Sequence, residues 1–293
     1  MLEKYPGKKI GVIYQSDDFG RNALAGFDKA GLTFVPKKTS ASFVAGTQGS
    51  VGGLTSQVLQ MKANGIEIVI IAAVSSATAV ALLTAAQIKW APEKWAVISV
   101  GADATTFQTI AGSKLIPAST SAAMLTGLIS ASHAPAPGDS SDEFVTAFKK
   151  INDEFNKGPD KRWDNNVLQG MNIGYMTVGA LTGTLNTNTV FSAKNNKTCQ
   201  ANAKKGTLSR VCLIDYMESN SSKIHSAAFS ALQYSTTTHE AFSGFWIGAY
   251  DATTVLQPVG GTRVVYTTDS GSGLVTVSNY KRPAIAADAL PKN

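Results

Sequence analysis

The run "IEIVIIAAV", Ile66 to Val74, is the strongest constraint in this chain. Only Glu67 interrupts it, and it falls well short of the ~18 apolar residues a membrane-spanning helix needs. It is rich in β-branched residues, which suit a strand buried on both faces. Such a strand belongs in a parallel sheet covered by helices on either side. Its neighbours agree. "VGGLTSQVLQMKANG" before it places Leu54, Val58, Leu59 and Met61 at near-helical spacing and ends on Asn-Gly. "SSATAVALLTAAQIKW" after it predicts a helix, with Ser75 or Ser76 as the natural N-cap. "KKIGVIYQ" predicts a second buried strand, followed by a turn over Asp17 to Gly20 and a helix from Arg21 to Ala30. "LTFVPKK" and "WAVISV" predict further strands, and "ATTFQTIAG" a short helix. From about residue 8 to 130, strand and helix alternate, the pattern of a doubly wound α/β sheet.

Beyond residue 130 the pattern changes. "HAPAPGDSSDEF" predicts a linker or rim loop. "DEFVTAFKKINDEF" predicts an amphipathic helix, and "NNVLQGMNIGYMTVGALTGTL" a second. The second carries Gly170, Gly174, Gly179 and Gly183. Each helical glycine costs about 1 kcal/mol relative to alanine, so four imply close packing against another backbone. From Asn186 to Asn220 the chain is polar and poorly periodic. "FWIGAYD", "RVVYTTD" and "LVTVSNY" predict strands near the end.

Composition narrows the function. The net charge of +6 is spread over short pairs such as Lys8-Lys9 and Lys204-Lys205, without interleaved aromatics. That is a solvated basic surface rather than a nucleic-acid interface. Cys199 and Cys212 flank a polar stretch with no histidine at metal-ligand spacing. They either form a local disulfide, which we favour, or are two free thiols of a reducing compartment. No metal or cofactor is expected. The first residues, "MLEKYPGKKIGVIYQ", contain no long apolar h-region of a signal peptide. Taken alone this points to the cytoplasm, against the disulfide.

In sheets of this kind ligands sit beyond the carboxyl ends of the strands. "SDDFG", "VSS" and "VGADAT" occupy that edge. Asp17 and Asp18 are consecutive and have no His or Cys partners for a metal. "DFG" lacks every companion motif of a protein kinase. No dinucleotide fingerprint, phosphate loop or nucleophile elbow occurs, so an enzyme is disfavoured. Binding needs only an apolar wall and a few placed polar groups. Phe19 can supply the wall. Ser75, Ser76 and the helix they open can supply polar groups, or the serines can simply cap that helix. Asp103 can likewise be only a helix cap.

Taken together, "KKIGVIYQSDDFGRNALAGF", "SQVLQMKANGIEIVIIAA", "AVALLTAAQIKWAPEKWAVISVGAD" and the closing "FSGFWIGAYDATTVLQPVGGTRVVYTTDSG" resemble, in order and spacing, the branched-chain amino-acid (Leu/Ile/Val-type) solute-binding proteins of ABC importers. The resemblance implies a type I periplasmic-binding-protein fold. In it, residues 1–135 form the second, ligand-binding lobe as a doubly wound parallel sheet. Residues 136–245 form crossover helices and a remnant of the first lobe, and 246–293 return through the hinge. It also implies a chain truncated at its N-terminus, lacking an export signal and much of lobe one, so that the helix bearing Tyr175 loses its covering sheet. This resolves the compartment conflict in favour of an extracytoplasmic protein. The implied ligand contacts are Phe19 as a lid, with Asp18, Ser75, Ser76, Asp103 and Tyr175. The carboxylate that pairs with a ligand ammonium in such proteins falls by spacing at Val100, and the aromatic ahead of Ser75 is Val74. The implied partners are a small amino-acid-like or amide-like solute and membrane permease subunits, with the protein itself a monomer. A ligand-sensing domain of a receptor or amide-type regulator is the alternative.

Overall fold

The computed structural model describes residues 5–46, 53–102, 110, 117–158, 162–239, 241–253, 255–268 and 274–286. The chain divides into two compact units. One comprises 1–132, 246–264 and 271–274; the other comprises 133–245, 265–270 and 275–293.

The first unit is built on β1 (Ile10–Gln15), β2 (Ser40–Phe43), β3 (Ile68–Ala72), β4 (Lys94–Val97) and β5 (Ile129–Ser132), parallel and ordered β2-β1-β3-β4-β5. β6 (Gly244–Tyr250) runs antiparallel to β5, with Ser132 opposite Trp246, and β7 (Leu256–Pro258) pairs with β6. β3 is buried at every position, as its apolar run requires. α1 (Asp18–Lys29) packs Ala23, Leu24 and Phe27 on the face bearing Ile10, Val12, Ile68 and Ile70. α2 (Thr55–Ala63) covers the opposite face, where Met61 lies so close to Gly11 that an added Cβ would meet its sulfur at 2.8 Å. Helices on both faces explain why β1 and β3 show no polar alternation. α3 (Ser75–Gln87) is sunk into the core through Ala77, Thr78 and the stretch from Ala81 to Ala85, and α4 (Ala118–Leu125) precedes β5.

Three expectations are corrected here. "LTFVPKK" is not a strand. Pro36 has no N–H to give a ladder, and Lys37 adopts φ +60 in a turn where Lys38, Thr39 and Ser40 donate to the Val35 carbonyl. The strand is the following "SASF", whose Ser40, Ala41 and Phe43 are buried. The helix after β1 starts at Asp18 rather than Arg21, with Asp17 as its N-cap. Leu59 lies on the outer side of α2 and is exposed, while Leu54, Val58 and Met61 are fully buried. Apart from Ile110, "ATTFQTIAG" lies outside the described residues.

The second unit holds α5 (Glu143–Phe155), α6 (Asn165–Leu185), α7 (Asn196–Lys204), α8 (Arg210–Asn220) and the antiparallel hairpin β8 (Val265–Thr268) to β9 (Val275–Val277). Asp142 caps α5, accepting from the N–H groups of Phe144 and Val145. It also pairs with Arg282 at 2.6 Å. Phe144, Val145, Phe148, Leu168 and Ala227 form one apolar cluster. The polar stretch expected to be irregular instead contains α7 and α8. Cys199 and Cys212 join them in a disulfide, and both cysteines are buried in a second apolar cluster with Phe191 and Tyr216. Asp215 completes the tie, accepting from the Ser192 hydroxyl, the Ser192 N–H at 2.8 Å and the Asn195 amide at 2.6 Å. The glycine expectation for α6 fails at three positions. An added Cβ would meet nothing within 4 Å at Gly170, Gly174 or Gly179; only Gly183 is closely approached, by the Tyr216 ring. On the same helix Ile173 and Val178 are exposed.

Candidate functional site

In the order β2-β1-β3-β4-β5 the connections run one way from β1 and the other way from β3. The chain therefore reverses between these two strands, the position at which sheets of this kind take ligands beyond their carboxyl ends. Ser16 and Asp17 link β1 to Asp18 and Phe19 at the start of α1; Ala73 and Val74 link β3 to Ser75 and Ser76 at the start of α3.

Gln15, the last residue of β1 and only 4% exposed, spans this point. Its amide oxygen accepts from the Val74 N–H at 2.7 Å, and its amide nitrogen donates to the Asp17 carboxylate at 3.0 Å. One buried side chain thus ties the two loops together. Sequence reasoning treated Gln15 only as the end of a strand. The available signal was a neutral, two-sided polar side chain closing an otherwise apolar run.

Asp17 is committed to this scaffold. Its carboxylate also accepts from the Gly20 N–H at 3.1 Å. That backbone donor, reinforced by the Gln15 amide, holds its carboxyl below the usual carboxylate range. Gly20 is obligatory here, because an added Cβ would fall 1.8 Å from the Gln15 carbonyl oxygen. Asp18 projects into solvent and pairs with Arg21 at 2.7 Å, whose guanidinium also donates to the Ser16 carbonyl. Phe19 follows in the first turn of α1 and is half-buried.

The serines do not cap α3. Val74 occupies the N-cap position without a side-chain bond, and Ser75 donates its hydroxyl to the Val100 carbonyl at 3.0 Å, tying the β3 loop to the β4 loop. The early N–H groups of α3 therefore have no side-chain cap, which favours negative charge nearby. Ser76 is exposed, as are Val74 (36%) and Val100 (53%). The carboxyl edge thus carries Asp18 and Phe19 at the start of α1 and Ser75 and Ser76 at the start of α3, with exposed Val74 and Val100 on the same edge. Asp103 lies outside the described residues. Tyr175 belongs to the second unit. Its ring packs against Phe144 at 5.6 Å and Phe148 at 5.8 Å, and its hydroxyl accepts from the Ala286 N–H at 3.0 Å.

Among the described residues no three His, Cys, Asp or Glu side chains are placed to hold a metal ion. No described helix is long and apolar enough to cross a membrane.

No family model and no curated protein matches the sequence. Solved structures do match. A branched-chain amino acid ABC transporter protein from Thermus thermophilus with bound valine superimposes with a TM-score of 0.64 at 14% identity, over 93% of this chain and 63% of that one. A substrate-binding protein of an ABC transporter from Aeropyrum pernix gives 0.64 at 14% identity, over 92% and 62%. A fatty acid ABC transporter substrate-binding protein from Thermomonospora curvata gives 0.59 at 15% identity, over 97% and 62%. The fold is therefore that of the type I periplasmic binding proteins. The chain spans a little over three-fifths of the length of these structures.

Proposed function

We propose that this chain is the solute-recognition part of an ABC importer, working outside the cytoplasm and delivering a small amino-acid-like or amide-like molecule to membrane permease subunits. The ligand is held without chemical change, and its contacts with two lobes favour a hinge-closed state. One observation carries this reading. The strand-order reversal between β1 and β3 is flanked by segments that hold a half-buried aromatic, exposed valines and an uncapped helix start, while Asp17, Asp18 and Ser75 are each taken up by protein partners. An apolar wall beside a few backbone donors suits a small ligand. In this reading Phe19 is the lid, Ser76 and the α3 N–H groups receive the polar end, and Asp18 makes at most a peripheral contact. Neighbours of the same fold with bound valine or a fatty-acid role support a solute with an apolar body.

The test is calorimetric titration of the chain with a panel of branched and aromatic amino acids and small amides. A saturable 1:1 isotherm is expected for at least one solute, weakened at least tenfold by Phe19→Ala. A panel with no binder, or a binder indifferent to Phe19→Ala, overturns the assignment.

A further inference from the structure

The opposite, amino-terminal edge of the same sheet holds a cavity of about 210 Å³, between the loop entering β4 and the loop joining α4 to β5. Trp90 and Trp95 form one wall, their rings edge to face at 5.8 Å, with Trp95 only 6% exposed. Met124 and the fully buried Leu128 add apolar surface. Lys94 is the polar feature. Its backbone N–H donates to the Glu67 carbonyl, but among the described residues no acceptor meets its half-buried ammonium. Adjacent Glu93, which also lines the cavity, turns its carboxylate to Lys8 at 2.8 Å, and Lys8 also binds Glu67 at 2.8 Å. Gly127 leaves room above the ammonium. It takes φ +80, donates its N–H to the Tyr250 carbonyl at 2.7 Å, and a Cβ there would come within 3.4 Å of Lys94 Nζ.

An ammonium without a protein acceptor among the described residues, lining a cavity beside two tryptophans, suits an anion with a flat apolar body. A cavity of roughly 150 Å³ accommodates benzene, so one of about 210 Å³ has room for a single ring plus a carboxylate. We propose that this cavity binds a small aromatic monocarboxylate, its ring against Trp90 and Trp95 and its carboxylate on Lys94. The site is separate from the Phe19 edge and independent of the function assigned there.

Benzoate is the probe, followed by calorimetry and by quenching of tryptophan fluorescence. Benzoate should saturate one site, and benzamide, equal in shape but uncharged, should bind at least tenfold more weakly. That comparison needs no variant. Lys94→Met should weaken benzoate at least tenfold, Trp90→Leu should remove most of the quenching, and Phe19→Ala should leave both readouts unchanged. Absence of benzoate binding, equal binding of benzamide, or affinity unaffected by Lys94→Met each overturns the proposal. Loss of benzoate binding in Phe19→Ala instead would move it to the carboxyl edge and also overturn it.

Discussion

Replacing Gln15 tests whether the carboxyl edge is a pre-set scaffold or two independent loops. The side chain is 96% buried by its 4% exposure, and its amide oxygen satisfies the Val74 N–H at 2.7 Å. A neutral hydrogen bond of this kind contributes about 1 kcal/mol net. Truncation to alanine also removes buried methylene surface, worth roughly 0.8 kcal/mol per CH₂. Gln15→Ala should therefore destabilise the first unit by about 2 kcal/mol, while Gln15→Met, which keeps the volume, should lose only the hydrogen-bonding part, about 1 kcal/mol. Urea denaturation followed through the unit's tryptophans gives both values. Gln15→Glu adds a sharper contrast. It can still accept from Val74, but it sets a second carboxylate against Asp17. Its deficit should therefore be larger at pH 7 than near pH 4, where the new carboxyl takes up a proton. If Gln15→Met is as stable as wild type, the bond to Val74 contributes nothing. If Gln15→Glu shows no pH dependence, the amide does not face Asp17. Either outcome refutes the bridge.

The disulfide between Cys199 and Cys212 closes a short loop of sequence separation 13. On chain-entropy grounds its removal as Cys199→Ala/Cys212→Ala should cost the second unit about 3 kcal/mol, read as a drop in urea midpoint; an unchanged midpoint would mean that the buried helix packing alone holds α7 to α8. Asp215 should make the same pair acid-sensitive. Burial alone would raise its carboxyl, but the donors from Ser192, Asn195 and Ser219 outweigh that and hold it below its ordinary value. With the folded value below the unfolded one, its contribution is present above about pH 4 and is lost as pH falls through the folded value. The stability gap between wild type and Asp215→Asn should accordingly narrow on acidification, and a gap constant from pH 6 to pH 3 would contradict the assigned donors.

The parallel sheet was legible because burial on both faces leaves a pattern no solvent-facing strand shares. "KKIGVIYQ" and "IEIVIIAAV" each contain an observed strand, and "WAVISV" overlaps β4 over Trp95 to Val97 before its end turns into a short 3-10 helix. What escaped was carried by residues with weak local preference. "SASF" is a strand because it lies beside β1 in a covered sheet, whereas "LTFVPKK" has better strand residues but a proline and a left-handed lysine. α7 and α8 were hidden by polar sequence, because a disulfide and Asp215 add to the few apolar side chains that hold them. The α6 glycines mislead for a related reason: composition can suggest a close neighbour but cannot supply one.

At the candidate site, residue types were easier to read than their partners. Asp17 and Asp18 suggest paired carboxylate chemistry only while their surroundings are unknown. In the structure one caps α1 and braces Gln15, and the other meets Arg21 in solvent. Ser75 looks like a cap and is instead a strut to Val100. Each of these polar groups satisfies the protein itself. What remains for a ligand is therefore what the sequence made least conspicuous: the ring of Phe19, two exposed valines, the Ser76 hydroxyl and the uncapped N–H groups of α3. Under the proposed function, a surface of that composition would select by shape and by one polar end. Substitutions at Phe19 or Val74 should accordingly discriminate between candidate solutes more strongly than any change at Asp17 or Asp18.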